Sequence, residues 1–202
     1  MGAGCYIRAR LEALLVSIGV VALAEIGDKT QLLALILAAR FKKPVPIIAG
    51  IVCATLFNHA LAGALGAWIT TVVSPTVLRW VLGLSFIGMA VWTLIPDEIE
   101  KDESDAAKRL GVFGTTLVTF FLVEIGDKTQ IATVALAAHY GTPVLVVIGT
   151  TLGMLLADVP AVIVGDKLSA RIPMRLVHSV AAGIFLLLGA ATLLGLGSKP
   201  AV

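Results

Sequence analysis

Charge is what this chain has least of. Asp, Glu, Lys and Arg make up 14% of its 202 residues, against 58% hydrophobic ones, where a soluble domain carries about 25% charged residues. With a mean hydropathy of +1.01, that deficit excludes a soluble globular fold and puts most of the length in a bilayer. Net charge is only +2, and no cluster of Lys and Arg reads as a nucleic-acid patch. Cysteine is nearly absent. Cys5 and Cys53 have neither metal-ligand spacing nor an obvious pairing, so both read as free thiols. The first apolar run has no small-residue cleavage site, which makes it a retained helix rather than a signal peptide. Tyr6 stands where N-myristoylation wants Ser or Thr. No soluble domain is expected at either end.

Against this background one stretch stands out. Glu25-Ile26-Gly27-Asp28-Lys29-Thr30-Gln31 returns as Glu124-Ile125-Gly126-Asp127-Lys128-Thr129-Gln130, and both copies lie inside long apolar runs. An ionised side chain at a helix centre costs about 2.5–3.5 kcal/mol on insertion scales, so the six charges together cost roughly 15–20 kcal/mol before compensation. That exceeds a typical net folding stability.

Hydropathy predicts six spans: Leu11–Ala39, Val45–Val72, Thr76–Ile95, Gly111–Ala138, Val144–Ile163 and Met174–Gly195. The polar stretch 97–110 reads as a linker between two halves, 1–96 and 111–202. The halves are copies. A shift of 99 residues carries Glu25 onto Glu124, Pro44 onto Pro143, Gly50 onto Gly149, Gly66 onto Gly165 and Phe86 onto Phe185 without a gap. Three spans per half is an odd number, so the second half enters the membrane from the opposite side. The expected fold is therefore an all-α membrane protein with six transmembrane helices as two inverted three-helix repeats, whose site lies near the midplane between them. Arg8, Arg10, Arg79 and Lys199 fall on one side. Arg40, Lys42, Lys43, Lys101, Lys108, Arg109, Lys167, Arg171 and Arg175 fall on the other. The richer side is expected to be cytoplasmic, with both termini outside. Gly149 and Gly153, with Gly50 and Ala54 at the matching places, read either as close-packing positions or as ordinary membrane-helix residues.

If the motif is continuous helix, Glu25, Asp28 and Lys29 share one face, Gln31 lies just beyond, and Thr30 points away from Glu25. Two such stripes facing each other suit a divalent cation. Four carboxylates and two lysines leave a net charge near −2, and oxygen ligands point to Mn²⁺, Ca²⁺ or Mg²⁺. The candidate cation ligands are Glu25, Asp28, Gln31, Glu124, Asp127 and Gln130. Lys29 and Lys128 are expected to pair at i,i+4 with Glu25 and Glu124. Gly27 and Gly126 allow either a local unwinding or a close backbone approach. Asn58, His59 and Asp158 are further intramembrane polar groups that line a cavity or couple protons. His59 reads equally as the partner in a helix–helix hydrogen bond, and Pro160 is expected to kink the span beside Asp158. The bland reading of the motif is two structural ion pairs, but it assigns nothing to Asp28 and Asp127 and does not explain the duplication.

E-x-G-D-[K/R]-[T/S] twice in a six-span chain resembles the Gdt1-type manganese/calcium transporter family, over nearly the whole chain. The resemblance implies a cation/proton antiporter that moves Mn²⁺, and in eukaryotic members Ca²⁺ too, out of the cytosol. It implies that Glu25, Asp28, Glu124 and Asp127 bind the cation and exchange protons, with the cation as transported substrate and no cofactor. The absence of the long N-terminal extension of eukaryotic members favours a prokaryotic protein in the inner (plasma) membrane. Expected partners are the cation, protons and the bilayer, with a homodimer as the assembly small apolar bundles often form. The rival readings are a divalent-cation channel and an intramembrane aspartyl protease, which uses a G-x-G-D signature where this chain has Glu25 and Glu124 at the first position.

Overall fold

The structure is a computed structural model and describes residues 3–95, 106–164 and 174–195. Most of the expected linker, the loop at 166–173 and the tail after 195 lie outside the described residues. Every regular element among them is a helix: α1 (Ala3–Glu25), α2 (Lys29–Phe41), α3 (Pro44–Val72), α4 (Pro75–Thr93), α5 (Ala106–Glu124), α6 (Lys128–Tyr140), α7 (Pro143–Val164) and α8 (Met174–Leu193).

The punctuation is local chemistry. Pro44, Pro75 and Pro143 each open a helix, where a missing N–H is no loss and the fixed φ is already helical. Lys42 and Gly141, 99 residues apart, close α2 and α6 in the left-handed conformation, with φ 52° and 63°. Their amides return to Ala38 O and Ala137 O at 3.0 and 3.1 Å, satisfying carbonyls that a helix end leaves open. Within the expected linker, residues 106–110 are already helical, set off by Gly111 at φ 67°.

Helices α3, α4, α7 and α8 are each long and apolar enough to cross a membrane, and α5–α6, bent by 69° at its break, passes the same test only as a pair. The expected first span is not one helix. α1 stops at Glu25, and its first turns carry Arg8, Arg10 and Glu12. Its uncharged part, residues 13–24, is shorter than the about 20 residues a single-helix crossing needs.

Packing runs between the halves. α1 packs on α7 and α5 on α3. α3 also packs on α7, and α4 packs on α8. Residues 99 apart meet reciprocal partners. A Cβ on Gly50 would stand 2.7 Å from Thr116 Cβ, and one on Gly149 would stand 2.7 Å from Ser17 Cβ. A Cβ on Gly153 would stand 2.6 Å from Ile18 O. The close-packing reading of Gly149 and Gly153 therefore holds, and α1 rests its backbone on α7. Phe86 and Phe185, also 99 apart, stack with ring centroids 6.5 Å apart in the buried core. Outward-facing side chains such as Trp80, Leu84, Val91 and Leu187 are apolar and exposed, as a lipid-facing surface requires. α7 stays helical through Pro160.

Candidate cation site

The site begins with two helix breaks. Gly27 and Gly126 take φ 84° and 75°, a region that costs an L-residue about 1–2 kcal/mol and glycine little. One residue there interrupts the ladder: Asp28 N–H turns back to Glu25 O at 3.0 Å, and Asp127 N–H to Glu124 O at 3.1 Å. The chain restarts as α2 and α6, with Asp28 and Asp127 in extended N-cap conformation. Unwinding, rather than close approach, is thus the use of Gly126, because a Cβ there would meet nothing within 4 Å.

This overturns two expectations that rested on a continuous helix, the direction of Thr30 and the partners of the lysines. Thr30 does not point away from Glu25; its hydroxyl donates to Glu25 Oε2. The lysines do not pair at i,i+4 with Glu25 and Glu124. They cross over, Lys29 Nζ to Asp127 Oδ1 and Lys128 Nζ to Asp28 Oδ1, both at 2.8 Å. The glutamines close the breaks: Gln31 Oε1 accepts from Gly27 N–H at 2.9 Å and Gln130 Oε1 from Gly126 N–H at 2.7 Å. Gln31 Nε2 also donates to Ala157 O at 3.1 Å, tying α2 to α7.

The breaks bring Glu25, Asp28 and Asp127 together. One oxygen from each lies within 4.8 Å of the others, and all three residues are buried. Two oxygens that share a cation at about 2.4 Å can be at most about 4.8 Å apart, so the spacing fits one ion. The helix ends add fixed charge. The N-terminal ends of α2 and α6 stabilise the aspartates, and the C-terminal ends of α1 and α5 turn their negative poles to the same place.

Glu124 stands apart from the three-acid group. Its Oε1 accepts from Thr55 Oγ1 at 3.2 Å and its Oε2 from Asn58 Nδ2 at 3.5 Å. Asn58 Nδ2 also reaches Phe121 O at 3.1 Å. Thr55 donates as well to Met154 Sδ at 3.2 Å, and those two residues are themselves 99 apart. His59 and Asp158 lie one turn further along α3 and α7 and are buried. Neither ring nitrogen of His59 and neither oxygen of Asp158 has a hydrogen-bond partner among the described residues. The helix–helix hydrogen bond that would have explained His59 is therefore missing.

Sequence reasoning missed Thr30, Thr55 and Met154. The signal for the last two was their position one turn before His59 and Asp158, at matching places in the repeat. It also missed His178 of α8, whose Nε2 donates to Ile26 O inside the first break at 2.9 Å. An isolated histidine in an apolar helix carries no signal of that contact.

Comparison with known proteins agrees with the duplication. A sequence profile described as "Divalent cation/proton antiporter GDT1" matches twice, over residues 13–101 and 112–199. A Vibrio cholerae protein named "Putative manganese exporter" is 52% identical over 183 residues, covering 90% of each chain. GDT1-like protein 3 of Oryza sativa subsp. japonica is 29% identical over 201 residues, 87% of this chain and 71% of its own. GDT1-like protein 5 of Arabidopsis thaliana is 27% identical over 221 residues, 91% of this chain and 96% of its own. No solved structure matches.

Proposed function

The chain belongs to the GDT1 family of divalent cation/proton antiporters, and from that premise we propose that it exports Mn²⁺ from the cytoplasm in exchange for protons. It is a transporter and not an enzyme. The observation that carries the reading is the meeting of Glu25 and Asp28 from one repeat with Asp127 from the other, at a spacing one dication fits. The name of the Vibrio cholerae relative favours manganese, and an all-oxygen group of this kind also takes Ca²⁺.

The mechanism follows from the charges. Glu25, Asp28 and Asp127 hold the cation. Lys29 and Lys128, paired with the two aspartates at 2.8 Å, are counter-charges that the cation replaces. Carboxylates must lose their protons to bind metal, so cation and protons compete for the same oxygens, and binding one releases the other. Gln31 and Gln130 hold the breaks in shape rather than ligating. Around the site we propose six crossings as two inverted repeats. α1–α2 forms a broken first crossing like α5–α6, both termini lie outside, and the linker after Ile95 is cytoplasmic in the inner membrane. The reciprocal contacts between residues 99 apart support that arrangement.

The test is radiolabelled Mn²⁺ flux into proteoliposomes under an imposed pH gradient. Wild type is expected to follow the gradient, and Glu25→Gln and Asp127→Asn to lose at least tenfold in rate. Flux that ignores the gradient would point to a channel and end the antiport reading.

A further inference from the structure

Glu124 is the one motif acid left outside the three-acid group, and the repeat alone does not explain why. Its surroundings differ from those of Glu25. Glu25 has the hydroxyl of Thr30 from its own motif, whereas Glu124 is held by Thr55 and Asn58 of α3. The residue matching Asn58 in the second half is Ala157, and the residue matching His59 is Asp158. The two halves have thus diverged on α3 and α7, and the divergence sets an amide of α3 against Glu124 and a carboxylate on α7.

These oxygens are buried and unused. Asp158 and Asn58 are fully buried, and Asp158 Oδ1, Asp158 Oδ2 and Asn58 Oδ1 have no hydrogen-bond donor among the described residues. A buried carboxylate with neither oxygen satisfied is too costly to be packing alone. Asn58 reaches Glu124 through its amide nitrogen at 3.5 Å, which leaves the carbonyl oxygen of the same side chain buried and without a donor. The α7 residues around Asp158 reach both motifs: Met154, one turn before it, accepts from the Thr55 hydroxyl that also donates to Glu124, and Ala157 O accepts from Gln31 Nε2. Asp158 therefore sits on the stretch of α7 that touches both motifs.

We propose that Glu124, Asp158 and the Asn58 amide oxygen form a second station for the transported divalent cation. The ion reaches it from the Glu25–Asp28–Asp127 group, with Asp158 as the ligand that bridges the two. The donors are all hard oxygens, the class that suits Mn²⁺, Ca²⁺ and Mg²⁺. The three-acid group and the second station are occupied in turn, so the path through the protein consists of two adjacent oxygen sites rather than one. The proposal rests on the transport reading above and assigns Asn58, Asp158 and Glu124 a shared role within it.

The experiment measures Mn²⁺ bound per chain to the purified full-length protein in detergent, from the signal of the free ion in electron paramagnetic resonance. Glu25→Gln weakens the first station and is expected to keep about one Mn²⁺ per chain with reduced affinity. Adding Asp158→Asn to it is expected to lower affinity at least a further tenfold. Asp158→Asn alone is expected to cut Mn²⁺ flux in proteoliposomes at least tenfold, with partial rescue by Asp158→Glu. Equal binding by Glu25→Gln and the double variant would overturn the second station. So would wild-type flux in Asp158→Asn, which decides the matter even where a variant at Glu25 fails to fold. A wild-type protein that binds no Mn²⁺ would instead end the transport reading itself.

Discussion

Two lysines separate the binding chemistry from the folding chemistry of the site. Lys128 and Asp28 are both buried, with side chains 2% and 1% exposed, whereas Lys29 is 22% exposed. Removing one member of a fully buried pair leaves a charge that nothing solvates, at about 3–5 kcal/mol. A pair open to water at one end loses less, because water replaces part of what is removed. Lys128→Met is therefore expected to lower thermal stability in detergent markedly more than Lys29→Met. Equal shifts in melting temperature would contradict the crossed, unequal pairing. At this scale the sequence was informative about identity and uninformative about partners. Glu25, Asp28, Glu124 and Asp127 could be singled out because carboxylates in apolar runs need a use. Which lysine faces which acid depends on a register between elements 100 residues apart, and no local pattern encodes it.

Among the elements, the breaks at Gly27 and Gly126 decide where every site residue points. They were hard to read because the motif also fits a helix: Glu25 and Lys29 sit at i,i+4, and the apolar runs on both sides continue the period. Only the glycine signalled the interruption, and it suited close packing equally well. Gly126→Ala isolates the backbone effect, since the new methyl meets nothing within 4 Å and only the φ of 75° is violated. It is expected to cost about 1–2 kcal/mol and to reduce Mn²⁺ flux. Gly88→Ala in α4 makes a matched control, because its methyl also meets nothing and its backbone is ordinary helix. Alanine there is expected to be neutral or stabilising by up to about 1 kcal/mol. Thermal unfolding of the two variants side by side checks both, and a Gly126→Ala protein as stable as Gly88→Ala would remove the argument for a conformationally required glycine.

For the molecule as a whole, the duplication was legible and the interleaving was not. A fixed 99-residue offset shows that two copies exist, but it does not say whether they stand side by side or pack through each other. Here α1 lies on α7 and α5 on α3, and Gly149 and Gly153 were visible as small residues without their partner helix being visible. Rocking one half as a unit against the other would have to separate these contacts, so the moving parts are expected to mix helices of both halves. The same packing predicts that residues 1–100 and 101–202, produced as separate chains, fail to accumulate alone. Co-expressed, they are expected to assemble and restore Mn²⁺ flux. A first half that purifies alone as a monodisperse species would contradict this.

The crossed salt bridges also set an order of events during synthesis. The first half carries Asp28 and Lys29, but the charges that neutralise them, Lys128 and Asp127, belong to residues made later. At about 5–20 residues per second, the ribosome needs roughly 5–20 s to cover that distance. For that interval the first break is a nascent element with its counter-charges still unmade. The final closure of the core is thus timed by translation of the second copy, and the cation path cannot exist until the second motif has been made.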